Sequence, residues 1–173
     1  MPIPSSGLLI RLAREFPSVY DWIKEETGGA DANARMRAEC RAPEVKTVFS
    51  AWGSYGWLDQ HRRFGTRGVI SERAAYADFL MSIWSALEAG DAARADDLFA
   101  KYLLMMNLSE TIPGGHLRGF NLYVLKRRGI FRNLVSRDYV TPGDTSGKWK
   151  LETRVFTPDE IAAIEDRLSR LAL

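Results

Sequence analysis

The first 71 residues alternate short apolar runs with helical patterns, and this alternation constrains the fold more than any other feature. Three strands are predicted, at Val19–Ile23, Val45–Ser50 and Gly68–Ser71. Helical patterns fall between them, at residues 30–41 and 55–64. Strands that alternate with helices predict a parallel sheet with right-handed crossovers. Buried parallel strands usually have more neighbours than this, which indicates one part of a larger α/β structure.

The rest of the chain is predicted to be mainly helical. A helix precedes the first strand, begins at Ser5 or Ser6, and ends before Pro17. Residues 136–156 contain proline and glycine and are predicted to form a long loop. Further helices are predicted from apolar spacing up to Gly90, after Asp91, over residues 117–128 up to Gly129, and from Thr157-Pro158-Asp159-Glu160 onward. The predicted organisation is therefore an α/β part at residues 1–73 and a helical part at residues 74–173.

Composition excludes several classes of function. The 173 residues carry a net charge of only +2, which gives no electrostatic case for nucleic-acid binding. The single cysteine, Cys40, excludes an internal disulfide, and with only His61 and His116 as further soft ligands it cannot build a metal site. The apolar runs are shorter than a membrane span, and the N-terminus lacks a signal-peptide pattern. A cytoplasmic protein with no membrane partner is the expectation.

Lys24 is the candidate catalytic residue. It follows the apolar residues of the first predicted strand, and a polar loop with Gly28 and Gly29 comes after it. The carboxyl end of a parallel strand lies at the mouth of the sheet, where an apolar wall favours a neutral amine. A neutral amine can attack a ketone and form a Schiff base. The same local pattern also fits a solvated lysine at the end of a strand.

Three segments carry a resemblance to a known family. They are Trp22-Ile23-Lys24-Glu25-Glu26-Thr27-Gly28, Phe49-Ser50-Ala51-Trp52-Gly53 and Gly65-Thr66-Arg67-Gly68-Val69-Ile70-Ser71. In this order they resemble the sixth, seventh and eighth strands of the dihydrodipicolinate synthase / N-acetylneuraminate lyase family. Downstream, Glu88–Ala95 and Leu125–Gly129 are similar to the family's helical extension.

The resemblance implies a fold and an activity. The fold would be a partial TIM (β/α)₈ barrel, containing about its last three strands, followed by a C-terminal helical extension. Lys24 would form a Schiff base with pyruvate or another 2-oxo acid, and the carbonyl of Ile70 would lie near the substrate. No metal or organic cofactor is implied. A homo-oligomer, a dimer or tetramer, is expected, or a pairing with a missing N-terminal half-barrel.

Four further residues near these strand ends are candidate substrate contacts. Ser50 ends the second predicted strand, Trp52 and Gly53 follow it, and Glu72 follows the third. Trp52 and Glu72 could line a pocket for a sugar-derived acid or an aromatic aldehyde. Equally, the aromatic loop could pack on the barrel rim, and Glu72 could form a solvated pair with Arg73.

The resemblance also implies that elements of the family's site are absent. Strands one to five would be missing, with the proton-shuttling tyrosine of the fifth strand and the carboxylate-binding loop after the second. Met1 could then be an internal methionine of a longer protein. Three functions stay open: a truncated Schiff-base lyase, a non-catalytic half-barrel or interaction module, and an unrelated α/β sheet that uses Lys24 to bind phosphate or carboxylate. The lack of a glycine-rich phosphate loop argues against the third.

Overall fold

The computed structural model describes residues 3–27, 31–51, 55–71, 74–111, 117–139, 149–153 and 155–170. The chain divides into two compact units, Met1–Glu72 and Arg73–Leu173. No helix in the described ranges is both long and apolar enough to cross a bilayer. Each unit is built as follows.

The first unit alternates helices with short strands. Its elements are α1 (Ser6–Glu15), β1 (Trp22–Glu25), α2 (Ala32–Arg41), β2 (Thr47–Ser50) and α3 (Trp57–Phe64). The strands β1 and β2 pair in parallel, which confirms the predicted strand direction. The architecture of this unit is therefore mixed α/β with a small parallel sheet.

The ends of the helices follow from their capping residues. The Ser5 hydroxyl accepts a hydrogen bond from the Leu8 amide at 3.2 Å, so α1 has the predicted serine cap. At the end of α3, Gly65 adopts φ 81°, a left-handed conformation that glycine reaches without a steric penalty. The predicted stop of this helix at Gly65 is confirmed.

The third predicted strand is wrong as a strand, although its backbone does lie along β2. The amide of Arg67 donates to the Val48 carbonyl at 2.9 Å, and the amide of Ile70 donates to the Ser50 carbonyl at 2.9 Å. Only an isolated parallel bridge forms, between Ser50 and Val69. Gly68, at φ 126°, interrupts the extended conformation that a longer ladder needs.

The first strand is also displaced along the sequence. The prediction was Val19–Ile23, whereas β1 spans Trp22–Glu25. The amides of Val19 and Tyr20 instead donate to the Phe16 carbonyl at 3.0 and 3.1 Å, which makes a turn after α1. Lys24 consequently lies inside the strand, one residue before its end.

The two faces of the parallel sheet differ in burial. One face packs on the helices, with a core of Ile23, Met36 and Val48. The opposite face carries Trp22 and Phe49, whose ring centroids are 5.7 Å apart. Trp22 is 59% exposed, so this second face is largely open to solvent.

The second unit is mainly helical. It contains a 3₁₀ turn (Ala74–Tyr76) and the helices α4 (Ala77–Glu88), α5 (Ala92–Thr111), α6 (Leu117–Arg127) and α7 (Pro158–Arg170). These helices lie where the sequence predicts them. Their buried side chains include Tyr76, Ile83, Tyr102, Met105, Met106, Phe120, Val124, Ile164 and Leu168.

Two predicted caps form in this unit. The Asp91 carboxylate accepts a hydrogen bond from the Arg94 amide at 3.0 Å. Before α7, the Thr157 hydroxyl accepts from the Glu160 amide at 3.2 Å, while the Glu160 carboxylate accepts from the Thr157 amide at 2.8 Å. This reciprocal pair is the capping box that the sequence predicts.

The long loop predicted at residues 136–156 is wrong. This region contains parts of two paired antiparallel strands, β3 (Val135–Tyr139) near its start and β4 (Trp149–Thr153) near its end. The proline and glycines that suggested a loop are Pro142, Gly143 and Gly147, which all fall between the strands. These turn residues lie between the two strands in the sequence, and they do not exclude strands in the residues on either side of them.

Candidate functional site

An open cleft of about 450 Å³ runs along one edge of the parallel sheet. Lys24 and Trp22 line it from one face of β1, and Glu25 lines it from the other. A cleft bordered by both faces of a strand follows the edge of that strand. The residues of this edge therefore share one solvent-filled space with Arg35 from α2.

The Lys24 amine is accessible within this cleft. Its side chain is 40% exposed, and its Nζ donates to Oε2 of Glu26 at 2.7 Å. Glu26 is 63% exposed, so water screens the pair and its contribution to stability is on the order of 0–1 kcal/mol. The pair therefore presents an amine next to a carboxylate that can accept a proton.

Glu25 points away from Lys24 and is buried. Only 3% of the residue is exposed. Its Oε1 accepts the Thr27 amide at 2.6 Å, and its Oε2 accepts Nε of Arg35 at 3.0 Å.

Glu39 is a second buried carboxyl group next to Glu25. It is 0% exposed, and its Oε1 accepts the Ser6 hydroxyl at 2.7 Å. Burial raises the pKa of Glu39 to about 7, the Ser6 hydrogen bond opposes this, and the Glu25 charge reinforces it. Sequence analysis did not identify Arg35 or Glu39. Their only signal was an opposite-charge pair four residues apart in a predicted helix.

The structure does not bring the Ser50 side chain to Lys24. Ser50 is the register partner of Glu25, so it faces the helices, whereas Lys24 pairs in register with Phe49. The Ser50 hydroxyl is fully buried and donates to Oε1 of Gln60. Ser50 does end β2 as predicted, but the two-residue period of the strand directs its side chain to the opposite face.

The remaining predicted contacts are placed only in part. Ile70 is 43% exposed and is held beside β2 through its amide. Trp52, Gly53 and Glu72 lie outside the described residues. Lys24, Ser50 and the backbone of Ile70 thus lie near the carboxyl ends of the described strands, with the Ser50 side chain on the face opposite Lys24.

Two other side chains of reactive types, His61 and Cys40, have surroundings that suit a structural role and not catalysis. The Nδ1 of His61 lies 2.6 Å from the Thr66 carbonyl, so this nitrogen carries the proton and donates it. Burial, reinforced by Glu39, raises the pKa of the Cys40 thiol to about 11, which keeps it protonated. His116 lies outside the described residues. Among the residues that are described, no group of three or more His, Cys, Asp or Glu side chains could hold a metal ion.

Comparison with known proteins gives a structural match. No protein-family model and no curated protein matches the sequence. The structure is similar to the crystal structure of dihydrodipicolinate synthase from Rhodopseudomonas palustris, a TIM-barrel enzyme, with a TM-score of 0.61 and 16% sequence identity. The match covers 97% of this chain and 51% of that chain, so this chain spans about half the length of the synthase. At this identity the similarity shows the fold alone.

Proposed function

We propose that the chain is the C-terminal part of a TIM-barrel lyase that forms a Schiff base between Lys24 and a 2-oxo acid such as pyruvate. One observation carries the proposal. Lys24 presents an accessible amine near the carboxyl end of a parallel strand, in a chain whose structure is similar to about half of a dihydrodipicolinate synthase. TIM-barrel enzymes place their catalytic residues at the carboxyl ends of their strands.

The chemistry follows from the amine and its neighbour. The nitrogen of Lys24 attacks the keto carbon, and loss of water from the resulting carbinolamine leaves a protonated imine. This imine withdraws electrons, so a bond to the adjacent carbon can break or form in an aldol reaction, or a β-hydroxyl group can leave. Glu26, whose Oε2 lies 2.7 Å from Nζ, accepts the proton that frees the amine for attack and returns it to the carbinolamine hydroxyl, which leaves as water.

Reductive trapping tests the proposal. The protein is mixed with pyruvate and borohydride, and the adduct is detected by intact mass and located by peptide mapping. We expect an adduct on Lys24 that disappears in Lys24→Ala. Lys46→Ala is the matched control, because Lys46 is a more exposed lysine, at 69%, just before the neighbouring strand. Folded protein without an adduct, or with equal labelling of both lysines, would refute the proposal.

A second candidate function is binding of a complementary half-barrel, and it is favoured by the edge of β1 that pairs with no other described strand. The carbonyls of Asp21 and Glu25 accept hydrogen bonds from Thr47 and Ala51, so they point toward β2. Because backbone direction alternates along a strand, the backbone groups of Trp22 and Lys24 point to the opposite edge. An edge of this kind, beside the exposed Trp22 ring, can accept another strand.

The partner for this edge would be a polypeptide that carries the barrel strands missing here, or a second copy of the chain in a dimer or tetramer. Sedimentation of the pure protein separates the two, because self-association depends on concentration without any other component. Trp22→Lys should weaken either association, whereas Met81→Lys, on an exposed site of α4, should not. A monomer that binds no half-barrel segment of the Rhodopseudomonas palustris synthase would count against this function.

A further inference from the structure

We propose that Glu25 is a positioning residue for Lys24, and that a proton on Glu39, acting through Arg35, sets how firmly Glu25 holds the turn that carries Glu26. The reactive role of Lys24 in this inference rests on the proposed function. The coupling between the buried carboxyl groups and the Lys24 environment does not depend on the proposed function, so it can be tested without substrate.

The first step is the contact between Glu25 and the backbone. Its Oε1 accepts the Thr27 amide at 2.6 Å, a short bond from an amide to a carboxylate. This bond closes a turn around Glu26. Glu26 in turn accepts the Lys24 amine at 2.7 Å. The buried Glu25 carboxylate therefore fixes the segment that holds the Glu26 carboxylate next to the Lys24 amine.

The second step is the charge balance around Glu25. Arg35 Nε lies 3.0 Å from Oε2 of Glu25, and Arg35 Nη2 lies 3.7 Å from Oε1 of Glu39. One guanidinium group thus faces two carboxyl groups that are almost completely buried. Ionising both would leave a net negative charge in a poorly solvated place, which is unfavourable. A proton on Glu39 removes this excess charge.

The third step is the surroundings of Glu39. Its Oε2 is buried and has no hydrogen-bond partner among the described residues, so nothing there stabilises a negative charge on this oxygen and a proton on it is favoured. Burial raises the pKa of Glu39 to about 7, so the proton is exchanged near neutral pH. The groups that act on Glu39 come from three elements: Ser6 of α1, Glu25 of β1, and Arg35 and Cys40 of α2.

Loss of the proton has a definite consequence. The guanidinium of Arg35, which contacts both carboxylates, is drawn toward Glu39, and its bond to Glu25 weakens. The hydrogen bond from the Thr27 amide to Glu25 then becomes weaker, and the turn that carries the Glu26 carboxylate is held less rigidly. Lys24 is consequently held less firmly above neutral pH than below it.

NMR titration of the Thr27 amide is the direct test. An amide bonded to a carboxylate reports changes in that carboxylate, so we expect the Thr27 resonance to titrate with a midpoint near pH 7. In Glu39→Gln, which keeps the shape and the acceptor for Ser6, this titration should disappear. Glu15→Gln, an exposed carboxylate of α1, is the matched control and should leave it unchanged.

The second readout is the reactivity of Lys24. Trace acetylation is measured as the ratio of Lys24 to Lys46 labelling, which cancels the general rise of amine reactivity with pH. We expect this ratio to change by about threefold across neutral pH in the native protein, and to stay constant in Glu39→Gln.

A Thr27 amide that does not titrate, or a ratio that changes equally in native protein and Glu39→Gln, would overturn the inference. A missing pyruvate adduct would instead contradict only the proposed function, because both readouts here need no substrate.

Discussion

Replacing Glu39 by glutamine should stabilise the protein above neutral pH and change its stability little in acid. The physical reason is that Glu39 is fully buried, and one of its carboxylate oxygens has no hydrogen-bond partner within the described part of the chain. An amide of the same shape still accepts a hydrogen bond from the Ser6 hydroxyl. It also carries no charge to desolvate.

The magnitude follows from proton linkage. In the unfolded chain Glu39 titrates near pH 4.5, whereas in the folded protein its pKa is raised to about 7. Between these values the folded state holds a proton that the unfolded state has released, so stability falls as pH rises. The shift from 4.5 to about 7 corresponds to about 3 kcal/mol, lost by pH 7 and not regained above it.

Urea denaturation of both proteins from about pH 4 to pH 9 measures the effect. The difference in free energy of unfolding between Glu39→Gln and the native protein should grow from near zero to about 3 kcal/mol over this range. Taking the difference cancels the titration of the other groups. A difference that does not depend on pH, or a variant less stable than the native protein at pH 8, would refute the reasoning.

Three further predictions concern the helix ends and the second unit. Arg128 donates hydrogen bonds to the Asp78 carboxylate and to the Ala75 carbonyl, and its bond to Asp78 lowers the pKa of that carboxyl group. The pair therefore stabilises the protein at pH values above the pKa of aspartate in the unfolded chain. This stabilisation is lost as the pH falls through the lowered pKa of the folded protein. Asp78→Asn should therefore lower stability at neutral pH and reduce its acid dependence, measured by thermal unfolding at several pH values. Thr157→Ala removes the cap of α7 and should cost about 1 kcal/mol in urea denaturation, whereas Thr157→Ser should cost much less. Gly65→Ala should lower the free energy of unfolding by about 1 kcal/mol, because φ is 81° at this position. A methyl group there would meet no atom within 4 Å, so the cost comes from the backbone conformation alone. A variant as stable as the native protein would contradict this argument.

Local sequence signals determined most of the helices. Serine, threonine and aspartate caps, a left-handed glycine and apolar spacing act within a few residues, so Ser5, Gly65, Asp91 and Thr157 could be identified without tertiary contacts. The strands were harder to place. The β-branched run of β2 was found, but the strand with Lys24 was displaced and the hairpin of β3 and β4 was missed, because pairing between distant segments decides where a strand begins.

The sequence by itself determined that this chain alternates helices and parallel strands, and that Lys24 stands near the end of one of them. Only the tertiary structure decided which side chains share a face. It placed Ser50 against Gln60, away from Lys24, because strand register fixes that alternation. It also buried Glu25 and Glu39 against Arg35, a grouping of β1 with α2 that no local pattern specifies. Burial, which exists only in the folded protein, is what raises the pKa of Glu39 toward neutrality.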